Sequence, residues 1–387
     1  MKEPNGLKQN VLQARGEESE KKKLKYIWLI LLLATLAVGF YFIRVKSTND
    51  MQRNTYKNWS KYYVVTHGKS AYVKTATSDE GTTALSEGQG YGMYIAIKAA
   101  KKGITTKSQF AKLYKYYMNH RTANTQLMSW KQNIKTDGSI EDLSNSATDG
   151  DLYIAYALIK ASELWSDQAD TYKKQARLLL KDILTYNYNS ETKSLTVGNW
   201  AVKGTDYYDL VRTSDILPEQ FDVFYQFSKD ETWKTIKTSM LASLEKMSRQ
   251  HKTGLLPDFM WVRESGEIKA AKANLIASKY DGDYYYNACR MPYNLAKSND
   301  KKSQKILKKM MNFFMTEKTI YAGYKLNGER LDSHQSASFD APIFYAAKKL
   351  NHKYERLHQQ EKKVFVKGLS STNYYDSALT TMAVLDQ

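Results

Sequence analysis

The sequence predicts an all-α protein, an (α/α)6 barrel that follows a single N-terminal transmembrane helix. Apolar residues recur at spacings of three and four in about twelve segments after residue 58, and the loops between them are rich in Gly, Asn, Asp and Ser. Acidic residues stand at the starts of several of these segments, at the junctions between loops and helices. Residues 26–43 carry no charge, which sets them apart from the rest of the chain.

The uncharged run at residues 26–43 is long enough to cross a bilayer as a helix, and aromatic residues near both of its ends suit the two membrane interfaces. Four lysines lie just before it, so the positive-inside rule makes residues 1–25 a basic cytoplasmic tail and places the later chain outside. We expect a single-pass protein of the cell membrane, with residues 44–58 as a polar linker and residues 59–387 as an extracellular domain.

A cleaved signal peptide is the alternative interpretation of this segment. Ala34 and Ala37 have the spacing of a small-x-small cleavage site. The apolar run continues past them, and this favours an uncleaved anchor.

The apolar spacing predicts where the helices of the extracellular domain lie. We expect one to begin at residues 59–63, and strand signals are short, at residues 72–74, 194–196 and 321–324. The other predicted helices span residues 88–102, 107–120, 149–166, 168–186, 216–228, 231–249, 285–297, 302–316, 338–350, 353–366 and 375–385.

The net charge of +18 raises the question of a nucleic-acid partner. The lysines are scattered along helices instead of clustering in a binding motif, and an exported domain seldom meets DNA, so we expect no nucleic-acid partner. Attraction to an anionic cell surface and a merely solvated surface remain the two explanations. The one cysteine, Cys289, excludes an intramolecular disulfide. The six histidines form no HExxH motif and no tight cluster with Cys289, so we expect neither a metal nor a cofactor.

Two stretches place carboxylates at the starts of apolar helices. In SEGQGYGM, residues 86–93, Glu87 lies between Ser86, a predicted N-cap, and three glycines that allow another backbone or a ligand to approach. In ATDGDLYIAYAL, residues 147–158, Asp149 and Asp151 precede a helix that ends near Trp165. On position alone each acid could be an ordinary first-turn acid, which the helix N-terminus favours.

Together the two stretches resemble the two signatures of glycoside hydrolase family 8. The resemblance runs from about residue 59 to the C-terminus, and two motifs in the right order make it specific. It implies an (α/α)6 barrel and hydrolysis of a β-1,4-linked glucan, chitosan or xylan, usually with inversion. Glu87 would be the general acid. Asp149 would hold the sugar at the cleavage point and help to keep the Glu87 proton in place, and Asp151 would be a cap or a supporting partner.

The resemblance also marks residues that contact the substrate. Trp130 and Trp200 stand in loops that match cleft-lining positions of the family, where aromatic faces pack against sugar rings. Arg212 is expected to contact sugar hydroxyls, while Asp215 could equally cap its helix. We add Tyr91, Asn287 and Arg290 to the expected substrate-binding residues.

The catalytic base is where the chain departs from the pattern. The largest group of the family has an aspartate three residues before the arginine that matches Arg290, and here Asn287 stands in its place. An amide can orient water but cannot take its proton at neutral pH. Either an acid just upstream, Asp281 or Asp283, serves as base, with Asp283 slightly preferred because Gly282 precedes it, or the chain cleaves glycan slowly or not at all.

The expected function is endo-acting, inverting hydrolysis of a β-linked polysaccharide, such as an exopolysaccharide or glucan trimmed beside a membrane polysaccharide synthase. A chitosanase is one alternative, although the basic domain would repel a polycationic substrate. A glycan-binding accessory of polysaccharide export is the other, and Asn287 is its only support.

Overall fold

The computed structural model describes residues 5–350 and 352–387, with side chains from Glu20 onwards. The chain divides into two compact units, Met1–Arg53 and Asn54–Gln387. Residues 1–4 of the expected cytoplasmic tail, and the side chains of that tail before Glu20, lie outside the described residues.

Helix α1 begins at Asn5 and ends at Tyr63. Its residues up to Arg53 belong to the first unit, and its last ten residues belong to the second. The stretch Glu20–Tyr63 contains a window apolar enough to cross a membrane, and that window is not buried against other parts of the protein. Among the residues that the structure describes, one helix, near the N-terminus, is therefore long and apolar enough to be a span.

The predicted linker at residues 44–58 is helical throughout, and the second unit begins at Asn54 instead of residue 59. Tyr56, Trp59 and Tyr63 are buried in the core of that unit. They lie three and four residues apart on one face of α1, which gives the end of this polar helix an apolar stripe to bury. Residues 54–58 of the predicted linker therefore belong to the second unit, because their apolar spacing outweighs their polar composition.

The described residues of the second unit form twelve further α-helices. The bounds are α2 Ser86–Lys101, α3 Lys107–Asn119, α4 Thr148–Leu164, α5 Ala169–Tyr186, α6 Pro218–Ser228, α7 Thr232–Gln250, α8 Met291–Ala296, α9 Lys301–Phe314, α10 Ala337–Leu350, α11 Glu355–Glu361, α12 Lys363–Val366 and α13 Tyr374–Leu385. The expected helix at 285–297 is reduced to α8 and a short 3-10 turn before it, and the expected helix at 353–366 is divided between α11 and α12.

Six of these helices form a closed inner ring. Along the ring α2, α4, α6, α8, α10 and α13 each contact the next helix, and α13 contacts α2. Outer helices α3, α5, α7, α9 and α11 each pack on the inner helix that precedes them in the chain. The predicted (α/α)6 barrel is confirmed.

Burial explains why the two kinds of helix have different sequences. Inner helix α4 is buried from Thr148 to Ile159 without a break, so it is apolar nearly all round. Outer helix α5 buries one face only, at Tyr172, Gln175, Ala176, Leu179, Leu180 and Ile183. The three-and-four spacing of that list is the amphipathic pattern from which the outer helices could be predicted.

The described residues also form three antiparallel sheets between the helices, and the sequence predicted only parts of them. The first sheet runs in the order β1–β2–β3–β4–β5, strands β6 and β7 form a hairpin, and the third sheet runs β8–β9–β10. The strand bounds are β1 Val64–His67, β2 Ser70–Ser78, β3 Gly81–Leu85, β4 Lys131–Lys135, β5 Ile140–Asp142, β6 Tyr188–Asn189, β7 Ser194–Leu195, β8 Leu210–Arg212, β9 Phe259–Val262 and β10 Ile268–Ala270. The expected strand at 321–324 contributes only isolated bridges, at Tyr324.

Glycines in the two acidic stretches allow α2 and α4 to pack closely. A Cβ atom on Gly150 would lie 2.3 Å from Ser86 Oγ, and one on Gly90 would lie 2.8 Å from Tyr153 Cβ. Real side chains do not tolerate such contacts, so these positions require the absence of a side chain. The close packing brings the first turns of the two helices, and with them Glu87 and Asp149, to the same end of the ring.

Candidate active site

The candidate site lies at the N-terminal end of the inner ring. Glu87 and Asp149 are each the second residue of their helix, α2 and α4. Arg212 ends β8 just before α6, and Arg290 closes the 3-10 turn that leads into α8. Because inner-helix N-termini carry partial positive charge, this end of the barrel favours carboxylates.

The predicted capping role of Ser86 is wrong. Helix α2 begins at Ser86 itself, Leu85 occupies the N-cap position, and no side chain caps the helix. The Ser86 backbone N–H instead donates to the carbonyl of Trp130 at 3.0 Å. The strand that ends at Leu85 already sets the chain direction into α2, so the helix begins without a side-chain cap.

Arg290 joins the groups of the site through one buried guanidinium, which is only 3% exposed. Its Nη1 atom donates to Glu87 Oε2 at 3.0 Å, to Asp149 Oδ2 at 3.2 Å and to the Tyr91 hydroxyl at 2.8 Å. Its Nη2 atom donates to Asn287 Oδ1 at 2.8 Å. A side chain held in this way positions the two acids.

Arg212 completes the ion-pair cluster, by which we mean Glu87, Asp149, Arg212, Asp215 and Arg290. Its Nη1 atom lies 2.7 Å from Asp149 Oδ2 and 3.6 Å from Asp215 Oδ1. Asp149 is therefore held between two guanidinium groups. Asp215 is 1% exposed, and burial raises its pKa to about 7.

The two acids of the motifs have opposite pKa shifts. Burial, together with the nearby charge of Asp149, raises the pKa of Glu87 to about 7 although Arg290 and Arg212 oppose the shift. Burial also acts to raise the pKa of Asp149, but Arg212 and Arg290 outweigh it and the net pKa is lowered. At neutral pH the site therefore holds a carboxyl group that retains much of its proton beside one that is ionised, a combination suited to acid catalysis.

Glu87 remains accessible, since its side chain is 17% exposed against 6% for Asp149. Glu87 Oε2 and Asp149 Oδ2 both contact the same nitrogen of Arg290. Two oxygens that share one donor cannot be the 6.5–9.5 Å apart that an acid and a base need when a water molecule lies between them. The geometry thus agrees with Asp149 as a partner of the acid and not as an inverting base.

Asn287 is fixed in place of the expected aspartate. Its Oδ1 atom accepts from Arg290, and its Nδ2 atom donates to Asp258 Oδ2 at 3.1 Å. Asp258 also accepts from the backbone N–H groups of Tyr285, Asn287 and Ala288. Asp258 is therefore a buried support for this turn.

Asp281 does not have the geometry of a base. It is fully buried, and its carboxylate accepts from the backbone N–H groups of Ile276, Ala277 and Ser278 at 2.6–3.2 Å. Both carboxylate oxygens therefore already accept hydrogen bonds from the loop that precedes Asp281. We correct the expectation for this residue to a structural role.

Asp283 is partly exposed but lies apart from the ion-pair cluster. Burial raises its pKa, and the charged groups that act on it are Lys325 and Glu329. In the described part of the chain no hydrogen bond or ion pair joins its carboxylate to that cluster. The backbone carbonyl of Asp283 accepts a hydrogen bond from the backbone N–H of Asp258 at 2.8 Å. Asp283 is therefore paired with the residue whose carboxylate holds Asn287 in place.

The two predicted aromatic platforms stand in loops tied to the acidic helices. Trp130 is 38% exposed, and its carbonyl accepts the Ser86 N–H at the start of α2. Trp200 is partly buried and packs edge-on against Tyr207, with ring centroids 5.2 Å apart. Asn199 Oδ1 holds the loop of Trp200 to Ser146, two residues before α4.

Tyr91 is not placed to bind substrate, because it is fully buried and its hydroxyl is occupied by Arg290. Its role is to position the guanidinium. The sequence did not mark Tyr374, at the start of α13, as a residue of the site. Its hydroxyl lies beside the first turn of α2, so close that a Cβ atom added to Gly88, the neighbour of Glu87, would be 3.1 Å from it. Only the closure of the ring, with α13 against α2, brings this residue to Glu87.

Comparisons with known proteins identify chains of similar sequence and structure. The family model of glycosyl hydrolases family 8 matches residues 25–387. A β-glucanase from Niallia circulans is 29% identical over 85% of this chain and 81% of its own length. An endoglucanase from Bacillus sp. (strain KSM-330) is 30% identical over 78% of this chain and 68% of its own. The solved structure of a β-1,3-1,4-glucanase from Paenibacillus sp. X4 aligns with a TM-score of 0.80 and 25% identity, covering 88% of this chain and 92% of that one.

Proposed function

This chain belongs to glycosyl hydrolase family 8, and from this premise we propose that it is an endo-acting, inverting hydrolase of a β-1,4-linked polysaccharide. Its similarity to enzymes described as a β-glucanase and an endoglucanase supports a β-glucan as substrate. The observation that carries the proposal is the pairing of a proton-retaining Glu87 with an ionised Asp149 on one guanidinium.

In the proposed reaction Glu87 gives its proton to the glycosidic oxygen as the bond from that oxygen to the anomeric carbon breaks. Water attacks the anomeric carbon from the opposite face, and its proton passes to a base. Asp149 stabilises the positive charge that develops on the sugar. The base then releases its proton to solvent and Glu87 takes one up from solvent, so that both groups are restored and the net change is hydrolysis.

We propose Asp283 as the base, since the structure commits Asp281 to its own loop. Asp283 is partly exposed, and burial raises its pKa. Its backbone is hydrogen-bonded to Asp258, the residue that holds Asn287. Because it faces Lys325 and Glu329, the proposal requires its carboxylate to turn towards the cleft when substrate binds.

Substituting the two aspartates separately should give two different results. Asp283→Ala is expected to lower kcat about 100-fold with little change in stability, because a missing base slows proton transfer. Asp281→Ala removes a buried carboxylate that accepts from three backbone N–H groups, and should lower the free energy of unfolding by about 1–3 kcal/mol. Initial rates and urea unfolding measure the two effects. Full kcat in Asp283→Ala would show that this residue is not the base.

Reducing-sugar release from a panel of polysaccharides tests the activity itself. The panel should contain a β-1,4-glucan, a mixed-linkage β-glucan, a xylan and chitosan, with Glu87→Gln as the inactive control. Release from the glucans, with fragments of intermediate length, is the expected result. Release from chitosan alone would favour the amino-sugar alternative. Tight binding without release would favour a glycan-binding accessory, which the fixed amide of Asn287 also fits.

We further propose that residues 26–43 anchor the enzyme in the cell membrane, with the catalytic domain outside and able to trim an exopolysaccharide delivered by a membrane synthase. The uncharged helix and the lysines before it support this topology.

The full chain should sediment with membranes and resist extraction by high salt and by alkaline carbonate, while detergent releases it. A chain that begins at Asn54 should remain in the soluble fraction, because it lacks the apolar run. Immunoblots of the fractions measure the distribution. Recovery of the full chain in the soluble fraction, or release of a shortened chain into the medium, would contradict the anchor.

A further inference from the structure

A pocket outside the ion-pair cluster lies at the far end of the third sheet. It has a volume of about 520 Å³, within the range of small-ligand sites. Two aromatic residues, Tyr207 and Trp261, line it. Neither the mechanism above nor the sequence motifs account for these two side chains.

The register of the sheet connects this pocket to the catalytic centre. Arg212 of β8 pairs with Phe259 of β9, and two residues further along Leu210 pairs with Trp261. Paired residues of neighbouring strands point to the same face, and so do residues two apart. The face that carries Arg212 at the ion-pair cluster therefore carries Trp261 about 7 Å further on.

Burial agrees with this assignment of faces. Leu210 and Phe259 belong to a small apolar cluster of their own, and Trp200, Tyr207 and Trp261 pack against it. Val211 and Met260, which point to the opposite face, belong to the main core of the barrel. One face of the sheet thus packs on the barrel core, and the other connects Trp200, which we predict to line the cleft, with the pocket.

The polar lining of the pocket suits a neutral ligand with many hydroxyl groups. Arg263 stacks on Trp261 with its guanidinium 4.4 Å from the ring centroid, and its charge is offset by Asp209 at 3.0 Å. The other charged lining residues are two lysines and two carboxylates, Lys269, Lys272, Asp206 and Glu267. With Asp209, which lies behind the lining, three positive charges meet three negative ones, and donors and acceptors are both present.

We infer that Trp261 and this pocket form an outer subsite that binds a neutral pyranose ring of the same polysaccharide chain. The inference rests on the proposed function. Trp261 is half-buried and lines the pocket, so the part of the indole that Arg263 does not cover supplies an apolar surface for the C–H face of a sugar, and the polar groups around it meet the sugar hydroxyls. A chain long enough to reach from Glu87 to Trp261 gains this contact, and a short oligosaccharide does not.

The experiment compares the full chain with Trp261→Ala, Trp261→Phe and the control Tyr186→Ala, an exposed aromatic that does not line the pocket. Trp261→Ala should raise KM for soluble β-glucan about five-fold while kcat and the kinetics on a trisaccharide stay unchanged. Trp261→Phe keeps an aromatic face and should restore most of the affinity. An equal loss on long and short substrates, or no change on the long one, would overturn the subsite.

Affinity electrophoresis in gels containing β-glucan separates this inference from the proposed function. If the unsubstituted chain releases no sugar but is retarded by the glucan, and Trp261→Ala is retarded less, the subsite stands while the proposed hydrolysis fails. Equal retardation of the unsubstituted chain and the Trp261→Ala variant, or no retardation of either, would overturn the subsite whatever the activity.

Discussion

Replacing Glu87 with glutamine is expected to lower kcat on β-glucan about 1,000-fold, the largest effect of any single substitution in the site. Glutamine keeps the volume and a hydrogen-bonding oxygen for Arg290, but it has no proton of suitable acidity to give to the glycosidic oxygen. General acid catalysis contributes about 100- to 10,000-fold to such reactions. Reducing-sugar assays on the full chain in detergent measure the loss.

The matched control for this substitution is Glu163→Gln, which changes an exposed glutamate on α4 that pairs with Lys160. It should retain full activity. KM and the melting temperature of Glu87→Gln should also stay close to those of the unsubstituted chain. A Glu87→Gln variant that keeps a tenth or more of the activity would mean that the proton comes from another group.

Replacing Arg290 with methionine should affect both stability and catalysis. The buried guanidinium contacts Glu87 and Asp149, and its loss leaves buried acidic groups with one cation, Arg212, in place of two. Breaking a buried ion pair by removing one partner lowers stability by about 3–5 kcal/mol. The pKa of Glu87, which Arg290 lowers, should rise further. Activity should persist to higher pH but with a smaller kcat, because the acid is no longer held in place.

Urea unfolding of Arg290→Met, compared with Arg249→Met, tests this expectation. Arg249 forms an exposed i,i+4 pair with Glu245 on α7, so its loss should change the free energy of unfolding by less than about 1 kcal/mol. If the two substitutions lowered stability equally, the buried cluster would not be the support that its contacts indicate.

The helices were predictable from sequence where burial imposes a period. Outer helices such as α5 alternate buried and exposed faces, and the apolar run of α4 reads directly as a helix enclosed by others. The sheets were predicted poorly because β3 and β4 each carry one large apolar residue and have few buried positions. Their pairing is decided by the neighbouring strands, which no local pattern records.

Site residues were predictable where they stand in a sequence motif. They were not predictable where their role depends on contacts that form only when the ring of helices closes. Glu87 and Asp149 stand in recognisable stretches, and the structure brings both to one guanidinium. The burial of Tyr91 and the occupied oxygens of Asp281 depend on contacts with residues far away or with backbone N–H groups. A sequence shows that a carboxylate is present, but only the fold shows which donors already occupy it.

The most direct test of the account is a carbon-13 NMR titration of the glutamate side-chain carboxyl groups, with Glu87→Gln used to assign the Glu87 signal. We expect this signal to titrate with a midpoint at about pH 7, because burial and Asp149 hold the proton on Glu87. A midpoint near the ordinary glutamate value of about 4.5 would contradict it. Glu87 would then be ionised at neutral pH and could not be the proton donor.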